Sequence, residues 1–226
     1  MQVIVLADGQ VGPRAALDAA WPDWLDPDAR VVASDGGARH AGALGLRIDR
    51  WVGDGDSLGE DGIARLEAAG VPIERARPDK DESDTELALL AASALGASRI
   101  TVLGALGGPR IDHALANLGL LSMPELLHLD IRILAADARV RCLRAAGPGG
   151  GSGAIDLSGR VGDLVSLLPI GADAEGVTTY GLAYPLDDEP LLAGRTRGLS
   201  NIRRLPDARV VLRRGHLLVI ETPASL

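Results

Sequence analysis

Six short runs of β-branched and aliphatic residues, Val3–Ala7, Arg30–Ser34, Arg50–Val52, Val71–Ala76, Arg99–Leu103 and Ile131–Ala135, most constrain what this chain can fold into. Between most of them lie Ala- and Leu-rich stretches at helical spacing, such as Ile63–Ala69, Glu86–Leu95 and Ala114–Leu121. Strands that alternate with helices build βαβ units, and continuous apolar strands belong to a parallel sheet covered on both faces. The expectation is an α/β N-terminal domain with a mainly parallel, doubly wound, Rossmann-like sheet. It spans residues 1–146. The run Gly147-Pro148-Gly149-Gly150-Gly151-Ser152-Gly153 has the composition of a flexible linker. Beyond it, Val161–Ile170, Val177–Pro185 and Arg209–Glu221 read as short strands between Gly, Pro and Asp turns, which predicts a smaller all-β domain over 154–226.

The 226 residues, 46% of them hydrophobic, suffice for a sizeable core. The opening run lacks a basic n-region, and nothing approaches the ~18 apolar residues of a membrane span, so the expected location is cytoplasmic. Cys142 stands alone, which excludes an internal disulfide framework and a Cys-rich zinc site. A net charge of −8 and the absence of Phe argue against a general grip on nucleic acid, which needs basic faces and stacking platforms.

Acidic and Gly-rich motifs follow the strands: Asp35-Gly36-Gly37 the second, Gly53-Asp54-Gly55-Asp56-Ser57 the third, Gly104 to Gly108 the fifth. Carboxylates at i and i+2 converge on one Mg²⁺, a hard cation usually held by one or two carboxylates together with substrate phosphates. Asp-Gly-Asp also fills ordinary turns, and Asp35 also suits a helix N-cap. In Lys80-Asp81-Glu82-Ser83-Asp84-Thr85-Glu86 a capping box accounts for Asp84 and Glu86, and leaves Asp81 to be balanced by Lys80 or a cation. Arg110-Ile111-Asp112-His113, after Gly107-Gly108-Pro109, sets a guanidinium and free N–H groups at a helix start, a combination that suits phosphate. Ser200 and Asn201 look like turn formers.

Taken in order, these motifs resemble the thiamine pyrophosphokinase family nearly end to end, with Asn117, Gly181–Leu186 and Gly198-Leu199-Ser200-Asn201 as further matches. The resemblance implies an N-terminal catalytic domain, a C-terminal β-sandwich, and a homodimer with active sites at the subunit interface. It implies diphosphoryl transfer from ATP to the thiamine hydroxyl with release of AMP. Asp54, Asp56, Asp81 and Asp84 would serve as catalytic and Mg²⁺-binding residues. Asp35, Gly36, Lys80, Gly107, Gly108, Arg110, Asp112 and His113 would hold ATP, and Ser200 and Asn201 would contact thiamine. One carboxylate, Asp81 or Asp84, would take the hydroxyl proton. Two positions depart from the pattern: Gly55, usually large and apolar, and Pro109, which separates the glycine pair from Arg110. The competing readings are a diphosphokinase for another alcohol, such as a hydroxymethylpterin, and a non-catalytic nucleotide- or thiamine-binding protein.

Overall fold

The computed structural model describes residues 1–145 and 152–224. The chain divides into two compact units, Met1–Ala136 and Asp137–Leu226. The first contains β1 (Gln2–Leu6), α1 (Arg14–Ala20), β2 (Arg30–Ser34), α2 (His40–Leu44), β3 (Arg50–Gly53), α3 (Glu60–Ala68), β4 (Ile73–Arg75), α4 (Asp84–Ala94), β5 (Arg99–Leu103), α5 (Ile111–Leu120) and β6 (Asp130–Ala135). Its strands are parallel in the order β6-β5-β1-β2-β3-β4. The chain steps outward from β1 to β4 and then returns to the far side of β1, so strand order reverses between β1 and β5. Ligands of open α/β sheets bind outside the carboxyl ends of the strands at such a reversal.

Both faces of the sheet are covered, which is why the strands are apolar without alternation. Ile4, Leu6, Val31, Ala33 and Trp51 pack with Leu17 of α1, Leu44 of α2 and Ile63 of α3. Successive side chains on a strand point to opposite faces, so Val5 and Val32 face the other way. There α4 lies along β1, β2 and β3, burying Ala88, Leu89 and Ala92. All three tryptophans, Trp21, Trp24 and Trp51, belong to the first of these cores.

All the described elements of the second unit are strands: β7 (Ala138–Arg144), β8 (Gly153–Ser158), β9 (Leu164–Pro169), β10 (Ala174–Tyr180), β11 (Glu189–Leu191), β12 (Asn201–Ile202), β13 (Asp207–Leu212) and β14 (His216–Thr222). They form antiparallel ladders in the orders β12-β9-β14-β7 and β11-β10-β13-β8. One apolar cluster draws on both ladders, with Val165, Leu167, Leu217 and Val219 from the first and Val177, Leu157, Val210 and Leu212 from the second. The division after Ala136 assigns β7 to this unit, whereas the sequence boundary at 146 left it in the first. The expected linker 147–153 lies outside the described residues except for Ser152 and Gly153, and Gly153 already opens β8.

A buried ion cluster crosses the first ladder. The Glu221 carboxylate, 3% exposed, accepts two bonds from Arg139 at 2.8 and 2.9 Å. Arg141 and Arg203 each donate one more at 2.9 Å. Burial alone would raise the Glu221 carboxyl; Arg139 and Arg141 outweigh it and hold the group below its ordinary range. Among the described residues, no helix is long and apolar enough to cross a membrane.

Candidate active site

At the strand-order reversal the loops after β1, β2 and β5 and the first turns of α4 and α5 enclose a cleft, lined by Asp8, Asp35, Asp84, Gly107, Arg110 and His113 among others. Asp35 organises its floor. The residue is 3% exposed and has φ +40, a left-handed backbone that a non-glycine side chain enters only when its surroundings hold it there. Those surroundings are explicit. Its carbonyl accepts a bond from the Trp51 indole at 3.0 Å, and its two carboxylate oxygens accept from the backbone N–H of Ser57 and Leu58, each at 3.0 Å. Asp35 thereby fastens the loop that carries Asp54 and Asp56. It does not act as an N-cap through its side chain: the short 3-10 turn Asp35–Arg39 begins with it.

Gly55, the residue between the two aspartates, has φ +87. A Cβ there would also lie 2.6 Å from Ile63 Cδ1. Ile63, from α3, thus fills the space beside Gly55. Asp54 Oδ1 accepts from the Asp56 N–H at 3.1 Å, a turn bond of the kind Asp commonly makes. Asp84 stands at the start of α4, capped as expected by Ser83 Oγ, which accepts from the Glu86 N–H at 3.2 Å.

One oxygen each of Asp35, Asp54 and Asp84 lies within 4.8 Å of the other two. Lys80 sits against this group, its ammonium 2.9 Å from Asp54 Oδ2 and 3.0 Å from Asp84 Oδ1. Asp84 Oδ1 is buried and accepts no hydrogen bond; the ammonium meets it outside hydrogen-bonding angles, as an ion pair. The electrostatics follow from this crowding. Burial pushes the Asp84 and Asp35 carboxyls up, against Lys80 for Asp84 and against the Leu58 and Ser57 N–H groups for Asp35. The bond from Lys80 holds Asp54 below the usual range. Burial works against charge on Lys80, but Asp54 and Asp84 together raise it. Three oxygen donors, one of them buried without a hydrogen bond, match what a hard divalent cation takes.

The remaining expected residues fall around this centre. Asp56 is exposed, accepts from Ser57 Oγ at 3.1 Å, and adds to the upward shift of Asp35 through a side-chain hydrogen bond and of Asp84 through its charge. Asp81 is exposed and opens into a separate depression with Arg77, Asp79 and Lys80, away from the cleft. Gly36 is buried and faces Asp8: a Cβ there would run into the Asp8 carboxylate. Gly107 lines the cleft and Gly108 continues its loop. Arg110 lies at the rim with its fork turned to Asp112 at 3.0 and 2.7 Å, which holds Asp112 well below the carboxylate range. His113 lines the wall and Asn117 braces it, donating to the Ala105 carbonyl at 2.9 Å.

Ser200 and Asn201 belong to the second unit. Ser200 is exposed with φ +56. Asn201 is buried and its amide is turned to a neighbour: Oδ1 accepts from the Tyr184 N–H at 2.9 Å and Nδ2 donates to the Tyr184 carbonyl at 2.7 Å. Sequence reasoning missed Asp8, although it follows β1 as Asp35 follows β2, with the same acid-then-glycine signal. It is tied to Arg39 at 3.0 Å, and Arg39 also holds the Ser57 carbonyl.

Two family models match the chain: the thiamin pyrophosphokinase catalytic domain over residues 22–134 and the thiamin pyrophosphokinase vitamin B1 binding domain over 154–216. Thiamine pyrophosphokinase of Bacillus subtilis is 30% identical over 149 residues, 66% of this chain and 66% of that protein. Solved thiamine pyrophosphokinase structures from Bacillus subtilis and Geobacillus thermodenitrificans share the fold with TM-scores of 0.82 and 0.79 at 23% and 24% identity; this chain is covered fully and the relatives to 100% and 99%. The yeast enzyme follows at TM-score 0.71 and 15% identity, with 99% of this chain and 86% of that one covered. With both of the family's domain models in register on the two structural units, the chain belongs to the thiamin pyrophosphokinase family.

Proposed function

We propose that the cleft at the strand-order reversal is the catalytic site of this thiamin pyrophosphokinase and that Asp35, Asp54 and Asp84 are the core of its Mg²⁺ site. The enzyme transfers the diphosphoryl group of ATP to the hydroxyl of thiamine. The hydroxyl oxygen bonds to the β-phosphorus, the bond from that phosphorus to the α,β-bridging oxygen breaks, and AMP leaves. Phosphoryl chemistry of this type depends on positioning and on offsetting charge. The bound ion would supply the positive charge that the phosphate oxygens need. The observation that carries the reading is the convergence of three carboxylates at the cleft, two of them paired with Lys80, within the segment matched by the catalytic-domain model.

The chain's own residues divide the work. Asp56, exposed beside the cluster, and Asp81, in the adjoining depression that Lys80 also lines, would complete the ligand set. Of the two candidates for the base, Asp84 lines the cleft, and it would take the proton only through a carboxylate oxygen that the ion leaves free. Gly36, Gly107, Gly108, Arg110, Asp112 and His113 form the nucleotide wall, where phosphate would draw Arg110 from Asp112. Ser200 contacts thiamine, and Asn201 serves it by fixing Tyr184. In this reading the first unit is the doubly wound catalytic domain and the second a β-sandwich. The chain works as a cytoplasmic homodimer with sites at the subunit interface, supported by apolar side chains that unit two leaves exposed, Tyr180, Tyr184, Leu199 and Leu205 among them.

An AMP-release assay tests the assignment. AMP should form with thiamine, ATP and Mg²⁺ together and fall to background when any one is omitted. Release with a hydroxymethylpterin instead of thiamine, or with neither, overturns it.

A further inference from the structure

Lys80 is the only lysine in a sequence with 23 basic residues; every other one is arginine. It stands in the loop before α4, its side chain 13% exposed, with its ammonium against Asp54 and Asp84. The difference between the two side chains matters here. A guanidinium grips carboxylates with a planar fork, whereas an ammonium on a four-carbon stem is a compact point charge with rotatable donors that can leave as readily as it binds.

The geometry points to Lys80 as a placeholder cation, which holds Asp54 and Asp84 together before the ion binds and hands their oxygens over when it does. The inference rests on the reading of Asp35, Asp54 and Asp84 as the Mg²⁺ ligands. Mg²⁺ sits ~2.0–2.1 Å from its oxygens. Lys80 already occupies Asp54 Oδ2 and Asp84 Oδ1 at 2.9 and 3.0 Å. A divalent ion on those same oxygens would stand within about 5 Å of the ammonium, a like-charge contact that a partly buried site screens less than water does. Lys80 therefore swings out. A polyphosphate is the partner that would receive it, since lysine binds phosphate as a point charge. The consequence is coupled loading: ion binding alone turns the ammonium out of the cluster toward exposed carboxylates such as Asp79 and Asp81, and ion binding with nucleotide gives it phosphate.

The single lysine makes the test direct. Protein grown on lysine labelled with ¹³C at Cε shows one lysine resonance. Titration with Mg²⁺ in the absence of nucleotide should shift that resonance toward free lysine and narrow it, with the midpoint of ion binding. In parallel, Lys80→Met should bind Mn²⁺ about tenfold more tightly than wild type without nucleotide, and the gap should close with the non-transferable analogue α,β-methylene-ATP. An unmoved resonance overturns the exchange even where the variant binds Mn²⁺ more tightly, because removal of a distant charge would do that alone. Equal or weaker Mn²⁺ binding by the variant also overturns it, and in that case the ligand assignment stands. If neither protein binds Mn²⁺, the ligand assignment and the exchange fall together.

Discussion

Asp35 holds the loop that carries Asp54, and it does so through three bonds that no local pattern announces. The acid-glycine-glycine motif was legible as a turn or a cap at a strand end; the indole of Trp51 and the N–H groups of Ser57 and Leu58 come from other elements. The spacing of Asp54 and Asp56 was likewise legible, while their unequal exposure was not, because it depends on which side chain Lys80 reaches. Asp54→Asn keeps the shape and removes the charge at the cluster. AMP formation should fall at least tenfold, about 1.4 kcal/mol of barrier or more, with the melting temperature unchanged. Turnover equal to wild type would remove Asp54 from the site.

Among the elements, the loop from β3 to α3 shows why glycine stands between the two aspartates. Glycine between the aspartates looks like a source of looseness in the sequence. In the folded chain it is required, by a φ of +87 and by Ile63 reaching into the space from α3. The loop is also closed by Asp35 from β2 and by Arg39, so it is ordered without any ligand. Gly55→Ala should cost about 1–2 kcal/mol from the left-handed backbone alone, and more from the contact with Ile63. That corresponds to a melting temperature lower by roughly 2–8 °C. A variant that melts with wild type would show that the loop relaxes freely. The parallel strands were readable because both faces are buried. β7 was not: its Arg139 and Arg141 look like surface residues until Glu221, 82 residues from Arg139, supplies their partner.

For the molecule as a whole, that same cluster makes the second unit sensitive to acid. The Glu221 carboxyl is held below its ordinary value, so its contribution to stability is present above the unfolded pKa, about 4.3, and is lost as pH falls through the folded value. Glu221→Gln leaves three guanidinium groups buried around a neutral side chain and should cost about 3–5 kcal/mol at pH 7, a large part of the 5–15 kcal/mol typical of a domain. Urea unfolding at pH 7 and pH 3 measures both effects. The variant should be destabilised at pH 7 and should lose less on acidification than wild type; equal losses would mean the cluster carries no proton linkage.

The Trp and Tyr residues are sorted by unit. The three tryptophans are buried in the first unit, at 6%, 1% and 0% exposure, and the two tyrosines, Tyr180 and Tyr184, are in the second. Both tyrosines are already exposed in the folded chain, so indole emission reports the first unit alone. Trp51, bonded to Asp35, also reads the floor of the cleft. The protein thus carries its own optical probe, and unlabelled wild-type material suffices to follow the opening of the first unit and the filling of the site.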